Sequence, residues 1–170
     1  MKGTIILSHG LESGPQATKV AALAAVANQL GWAELRPDFR DIDARREVRD
    51  IDARVARLLD ALPASGRVVL AGSSMGAFIS GLASLERGCA GLFLLAAPMA
   101  IPGYRRAFAA ARVPLGFVHG WRDEVCPVDA VIRCAREHQA ILHLVDDEHR
   151  LAAHVGECAQ WFAQFLQRLG

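Results

Sequence analysis

Short apolar runs alternate with longer segments of helical periodicity along the whole chain. Runs such as Leu92 to Leu95 are continuously hydrophobic, which is typical of strands covered on both faces. Because strands and helices alternate, the pattern predicts right-handed crossovers and a three-layer α/β sandwich around a mainly parallel sheet. The predicted strands are Thr4–Ser8, Ala33–Pro37, Arg67–Gly72, Gly91–Ala96, Leu115–His119 and Ile141–Val145.

The helical segments differ in how clearly they are marked. Apolar residues between Leu151 and Leu169 are spaced by three or four positions, which predicts a long helix packed on the sheet. The segment from Val48 to Leu62 has apolar residues at helical spacing among arginines and aspartates, so it predicts a surface helix whose charged side is solvated. Further helices are predicted over Val20–Leu30, Phe78–Leu85 and Val128–His138.

Length and composition indicate one globular domain spanning residues 1–170. Hydrophobic residues make up 52% of the chain and charged residues 22%, and the net charge of +1 gives no electrostatic footprint for nucleic acid. The apolar run from Thr4 to Leu7 is too short for a signal peptide or a membrane span, so we expect a cytoplasmic protein without a membrane partner. The four cysteines form no Cys-x-x-Cys pair, and we expect neither a metal nor a cofactor. The oligomeric state stays open.

The third predicted strand runs into the sequence Gly72-Ser73-Ser74-Met75-Gly76. This matches Gly-x-Ser-x-Gly between a strand and a helix, a sharp turn that exposes a serine nucleophile. Glycines flank the turn because side chains there would collide with adjoining elements, and the N-terminus of the next helix can stabilise negative charge. The alternative is an ordinary serine- and glycine-rich helix cap or phosphate loop.

A serine hydroxyl becomes a useful nucleophile when a base takes its proton and a carboxylate orients that base. His149 lies in a polar loop between the last strand and the last helix, and Asp123 follows the fifth strand. Ligand sites of parallel sheets lie beyond the carboxyl ends of the strands, where these residues and Ser74 converge. His9 and His119 each precede a glycine at a strand end, and we interpret them as loop-shaping.

With these residues in this order, the sequence resembles the α/β-hydrolase superfamily, in particular its small lidless bacterial esterase and thioesterase branch. The resemblance covers almost the whole chain. It implies that Ser74 is the nucleophile, that Asp123 is the acid and that His149 is the base. It also implies an oxyanion hole formed by the backbone N–H groups of Leu11 and Met75.

Two departures from the superfamily pattern bear on the architecture. The first strand begins within four residues of the N-terminus, so we expect a minimal six-stranded sheet that lacks the first two strands of many relatives. Only about 18 residues, from Ala97 to Pro114, separate the fourth strand from the fifth, where many relatives insert a lid. We therefore expect no lid.

These observations favour a serine hydrolase that cleaves a small-molecule carboxylic ester or thioester through an acyl-Ser74 intermediate. Glu12, Met99, Tyr104 and Arg122 are candidate substrate-binding residues, although Glu12 could instead pair with Arg122 or Lys19. The alternative is a non-catalytic binding module that keeps the fold. A dinucleotide-binding protein is disfavoured because the first turn does not have the pattern Gly-x-Gly-x-x-Gly.

Overall fold

The computed structural model describes residues 2–47 and 50–170 and contains one sheet of six strands. The strands are β1 (Thr4–Ser8), β2 (Ala33–Leu35), β3 (Val68–Ser73), β4 (Gly91–Leu95), β5 (Leu115–Gly120) and β6 (Ile141–Val145). All five strand pairings are parallel, and the strand order is β2-β1-β3-β4-β5-β6. The expected minimal parallel sheet is therefore present.

Helices cover both faces of the sheet and divide the core in two. Along β4, Leu92 and Leu94 belong to one hydrophobic cluster, whereas Phe93 and Leu95 belong to the other. The helices are α1 (Thr18–Gln29), α2 (Arg40–Asp43), α3 (Asp50–Asp60), α4 (Met75–Glu86), α5 (Val128–His138) and α6 (Val155–Leu169). The first cluster contains residues of α3, α4 and α5, and the second contains residues of α1 and α6. Burial on both faces explains why the strands are continuously hydrophobic.

Some element boundaries differ from those predicted. Strand β2 ends at Leu35, before Pro37, whose nitrogen has no hydrogen to donate to a neighbouring strand. Leu151 is buried but precedes the last helix, because its φ of 51° belongs to a left-handed turn. The short helix α2 was not predicted, and Val48 lies outside the described residues. Within the described residues, no helix combines the length and apolar character that crossing a bilayer requires.

The prediction that the charged side of α3 is solvated is wrong for Arg54. Only 1% of this residue is exposed, and its Nε lies 2.9 Å from Oδ1 of Asp43. Its Nη2 donates to the carbonyl oxygen of His9 at 3.1 Å, and its guanidinium lies over the ring of Phe39. Burial lowers the pKa of Arg54 to about 10, so the group stays charged at neutral pH. Arg54 thus ties α3 to the loop that follows β1.

The segment between β4 and β5 packs down on the body of the protein. Residues 96–114 contain no helix or strand. The ring of Phe108 lies 6.4 Å from that of Phe78 in α4, and the backbone N–H of Ala111 donates to Oγ of Ser84 at 2.9 Å. This segment therefore forms no lid.

Helix α4 begins in direct contact with the backbone of β1. A Cβ atom at Gly76 would lie 2.0 Å from the carbonyl oxygen of Ser8, far inside van der Waals contact. A Cβ atom at Gly72 would lie 2.4 Å from the carbonyl oxygen of Gly76. Both obstacles are backbone atoms, which cannot rotate away, so the close approach of the strand and the helix requires glycine at both positions.

We expect Gly76→Ala to lower the free energy of unfolding by about 3 kcal/mol or more, since the added methyl group forces helix and strand apart. Urea unfolding measures this change. Gly156→Ala is the matched control, because nothing lies within 4 Å of a Cβ atom at this exposed helical position. It should be neutral or stabilising by up to about 1 kcal/mol. Equal stability of the two variants would contradict the steric argument.

Candidate active site

Ser74 occupies the turn between β3 and α4 in a strained conformation. Its φ and ψ are 54° and −118°, in a region that residues with a side chain rarely adopt. Its backbone N–H donates to the carbonyl oxygen of Leu95 at 2.9 Å, which anchors the turn to the neighbouring strand. The next residue, Met75, begins α4, so the N-terminus of a helix adjoins the Ser74 hydroxyl.

Ser74, His149 and Asp123 form a chain of hydrogen bonds. Oγ of Ser74 lies 2.9 Å from Nε2 of His149, and Nδ1 of His149 lies 2.8 Å from Oδ2 of Asp123. Because an ionised carboxylate can only accept, Nδ1 carries a hydrogen and Nε2 is free to accept the hydroxyl proton of Ser74. The Asp123 side chain is fully buried, whereas that of His149 is 22% exposed. The arrangement can activate the serine for attack and can pass its proton onward.

The Asp123 carboxylate is surrounded by hydrogen-bond donors. Its Oδ1 accepts from the backbone N–H groups of Val125 at 2.9 Å and Cys126 at 2.7 Å. Burial alone would raise the pKa of Asp123, but the hydrogen bonds from His149 and from the Cys126 backbone lower it below the usual value. The group therefore stays ionised at neutral pH.

His119 is a neighbour of Asp123 that the sequence analysis assigned only to loop shaping. Its Nε2 lies 2.8 Å from the carbonyl oxygen of Cys126 and 3.3 Å from Oδ2 of Asp123. Both neighbours are acceptors, so Nε2 carries the hydrogen. Burial lowers the pKa of His119, which keeps the ring neutral. The four-residue spacing between His119 and Asp123 at the end of a strand is the sequence signal that could have indicated this contact.

Asp147 organises the loop that carries His149. Its carboxylate accepts from the backbone N–H groups of Glu148 at 2.8 Å and Ala153 at 3.0 Å, and it lies 2.9 Å from Nδ1 of His154. Burial raises the pKa of Asp147, but these hydrogen bonds outweigh it and lower the pKa overall. The residue bonds its own loop and is not part of the chain from Ser74 to Asp123.

The loop after β1 lies against Ser74. A Cβ atom at Gly10 would be 3.3 Å from Cβ of Ser74 and 4.0 Å from its Oγ. Among the hydrogen bonds of the described residues, none is donated by the backbone N–H of Leu11 or of Met75. Both N–H groups therefore keep their donor capacity, and their role as an oxyanion hole stays a prediction.

His9 holds this loop from inside the protein. The ring is fully buried, Nδ1 lies 2.8 Å from the carbonyl oxygen of Gly10, and Nε2 accepts from the backbone N–H of Phe39 at 3.0 Å. The ring must therefore be neutral with its hydrogen on Nδ1. Burial lowers the pKa of His9, and the charge of Arg54 lowers it further. The hydrogen bond to Gly10 raises the pKa but does not outweigh these two effects.

Two cavities adjoin this loop, and Leu11, Glu12 and Ser13 line both. The histidine-side cavity has a volume of about 1190 Å³, and its wall includes Ser74, Trp121, Val125 and His149. The second cavity has a volume of about 780 Å³, and its wall includes Ile42, Asp43, Ile51, Arg54, Met75 and Ile101. We call it the oxyanion-side cavity because it is lined by Leu11 and Met75, whose N–H groups are expected to form the oxyanion hole.

Two of the candidate substrate-binding residues line these cavities. Glu12 lines both, has a left-handed φ of 53°, and pairs with neither Arg122 nor Lys19 among the ion pairs of the described residues. Arg122 lines the histidine-side cavity and lies 2.7 Å from Asp146 and 3.3 Å from Glu148. The charge of Arg122 is therefore engaged by neighbouring carboxylates.

Met99 and Tyr104 line neither cavity. The Tyr104 hydroxyl donates to Oδ1 of Asp52 at 2.6 Å, and its ring packs edge-on against Phe78. Both residues belong to the segment that packs on α4, which directs them to the core and not to the site. A role of these two residues in substrate binding stays a prediction, and Ile101 of the same segment does line the oxyanion-side cavity.

One group of possible metal ligands occurs among the described residues: Asp123, Cys126 and His149. Burial raises the pKa of the Cys126 thiol to about 12, and the charge of Asp123 adds to this effect. The thiol is therefore protonated, and metals bind the thiolate. Asp123 and His149 are also bonded to each other, so the group does not favour a metal.

A parallel α/β sandwich with a serine at a strand-to-helix turn and a histidine partner beyond the last strand is the architecture of the α/β hydrolases. The chain belongs to this family: the family model of the alpha/beta hydrolase domain matches residues 1–160. By this membership the chain is classed as a hydrolase. No functionally curated protein matches the chain.

Solved structures agree with this assignment. A protein from Xanthomonas campestris pv. campestris, assigned to the alpha/beta hydrolase superfamily, is 47% identical, with a TM-score of 0.94 over 98% of this chain and 99% of that one. A lidless alpha/beta serine hydrolase from the same species is 20% identical, with a TM-score of 0.74 over 98% and 82% of the two chains. An esterase from Pyrococcus furiosus is also 20% identical, with a TM-score of 0.77 over 99% and 83%. The last two show the shared fold.

The buried His9 ring predicts a loss of stability in mild acid. Its folded-state pKa is lowered, so below the ordinary imidazole value of about 6.5 the unfolded chain binds the proton more readily than the folded one. The free energy of unfolding should then fall with decreasing pH, by up to about 1.4 kcal/mol per pH unit for this group. Urea unfolding between pH 8 and pH 5 measures the slope. His9→Gln should reduce the slope below pH 6.5 and leave it unchanged above pH 7.5, whereas an identical slope in both proteins would contradict this account.

Proposed function

We propose that the protein is a serine hydrolase that cleaves a carboxylic ester or thioester of a small molecule by acyl transfer to Ser74. The proposal rests on one observation, the hydrogen-bond chain from Oγ of Ser74 through His149 to Asp123. These three side chains come from loops after different strands. The stability of the fold does not require that a hydroxyl, an imidazole and a carboxylate be joined in one hydrogen-bond chain.

In the first half of the reaction, Oγ of Ser74 attacks the carbonyl carbon and its proton moves to Nε2 of His149. The carbonyl oxygen becomes negatively charged and accepts hydrogen bonds from the backbone N–H groups of Leu11 and Met75. When the tetrahedral intermediate collapses, the bond to the leaving oxygen or sulfur breaks. His149 gives its proton to that atom, and the acyl group stays on Ser74.

In the second half, water replaces the leaving group. His149 takes a proton from the water as its oxygen attacks the acyl carbon, and the second tetrahedral intermediate releases the carboxylic acid. The proton returns to Oγ of Ser74, which restores the starting state. Throughout, Asp123 keeps the hydrogen of His149 on Nδ1 and stabilises the imidazolium while it exists.

The alternative, a binding module that keeps the fold without catalysis, predicts different behaviour. Such a protein has no need for a serine held in a strained turn with a bonded base. It would bind ligands without turning them over, and a reagent that phosphonylates activated serines would not label it. Labelling of Ser74 and turnover of esters therefore separate the two functions.

We expect a fluorophosphonate to label Ser74 alone, because this hydroxyl is the one bonded to His149. Ser74→Ala should fold normally and lose roughly 10³-fold or more of the turnover of acyl esters. Ser73→Ala is the neighbouring control and should keep both labelling and turnover. Mass spectrometry of the adduct and esterase assays provide the measurements. Labelling at Ser73, or full activity of Ser74→Ala, would refute the assignment.

Asp123→Asn should lower turnover by about 10⁴-fold, since an amide no longer favours the imidazole tautomer that accepts the serine proton. Asp147→Asn is the matched control, because Asp147 also lies near a histidine but bonds the loop and not His149. Steady-state kinetics with one ester compares the two variants. The acid would be wrongly assigned if Asp147→Asn were the crippling change and Asp123→Asn the mild one.

A further inference from the structure

The exposed apolar side chains of this protein concentrate at one place. Among the described residues, five large hydrophobic side chains are exposed, and three of them, Leu11, Trp121 and Val125, line the histidine-side cavity. Trp121 is 54% exposed and Val125 is 69% exposed. Exposed apolar groups clustered around a concave site mark a surface that binds an apolar partner.

The chemistry of the proposed reaction assigns this cavity to one part of the substrate. His149 must donate a proton to the leaving atom, so the leaving group has to lie on the side of His149. His149 lines the histidine-side cavity and does not line the oxyanion-side cavity. The Trp121 and Val125 side chains are thus placed to contact the leaving group.

Charges around the histidine-side cavity disfavour an anionic leaving group. The wall holds three cationic side chains and four carboxylates: Lys19, Arg122 and Arg150, and Glu12, Asp123, Glu124 and Glu148. Arg122 is paired with Asp146 and Glu148, and the Lys19 ammonium donates to the carbonyl oxygen of Arg150. Because the negative charges outnumber the positive ones, the wall offers no net positive charge to a phosphate-bearing group, whereas a neutral group would meet the apolar side chains.

We infer that the leaving group is an uncharged alcohol that carries an aromatic ring, which packs against the indole of Trp121. The indole offers a planar apolar face, and aromatic pairs gain from stacked or edge-to-face contact beyond the area they bury. The inference rests on the proposed function. In the reaction the acyl C–O bond breaks, the alcohol leaves with the proton from His149, and water supplies the oxygen of the acid.

The test compares two acetate esters whose leaving alcohols have similar acidity, benzyl acetate and 2-methoxyethyl acetate. Their difference in kcat/KM then reports binding of the leaving group and not the strength of the bond. We expect a preference of about tenfold or more for benzyl acetate, as burial of a ring in a partly open site provides. Trp121→Ala should reduce this preference by about tenfold, mainly through KM, because the ring is bound equally before and during the reaction.

Leu85→Ala is the matched control. Leu85 is, like Trp121, a large apolar residue that is about half exposed, at 46%, but it lines neither cavity. It should leave the preference unchanged. A preference that survives in Trp121→Ala would overturn the inference. So would faster hydrolysis of acetyl-coenzyme A than of S-benzyl thioacetate, because this result would assign the cavity to a charged leaving group.

A binding measurement separates the inference from the proposed function. In Ser74→Ala, benzyl alcohol should shift the NMR signal of the Trp121 indole N–H saturably, and 2-methoxyethanol should not. If the natural chain hydrolysed neither ester and a fluorophosphonate did not label Ser74, the proposed function would fail. The NMR shift alone would then decide the inference, and its absence would overturn it. A dimer in solution that Trp121→Ala dissociates would also overturn it, by assigning the apolar rim to a second copy of the chain.

Discussion

The structure depends on the close approach of two backbones, where helix α4 starts against strand β1. Only hydrogen atoms fit between Gly76 and the carbonyl oxygen of Ser8. This contact fixes the direction in which the chain leaves β3, and so it fixes the turn that carries Ser74. It also sets the N–H of Met75 and the loop at Gly10 beside the same hydroxyl. The geometry of the site is therefore decided in the core of the sheet.

Electrostatics of the site depend on one buried carboxylate. Asp123 would be destabilised by burial if it stood alone, but it accepts hydrogen bonds on both of its oxygens. Two of these bonds come from the backbone of its own loop, so its position does not depend on the partner histidine. Nε2 of His119 also lies 3.3 Å from Oδ2 of Asp123. A carboxylate held in this way orients His149 and does not follow its movement.

The sequence predicted best what depends on the periodicity of buried positions. The strands were placed to within two residues, because both faces of the sheet are covered and their hydrophobic runs are unbroken. The site residues at strand ends followed from that topology, and the structure does bring Ser74, Asp123 and His149 together. The burial of Arg54 was not predicted, because periodicity assigns an arginine to the solvent side of a helix. In the structure, an ion pair with Asp43 allows this burial. The contacts of Tyr104 with Phe78 and Asp52 could not be predicted either, because no periodicity fixes the path of an irregular segment.

The left-handed backbone of Ser74 places activity and stability in opposition. A residue with a side chain in this region costs of order 1–3 kcal/mol, and the surrounding contacts hold it there. Glycine would adopt the same angles without this cost, although it has no hydroxyl. Selection for stability alone would therefore remove the serine. A serine in such a strained turn is what a chain under selection for chemistry would retain.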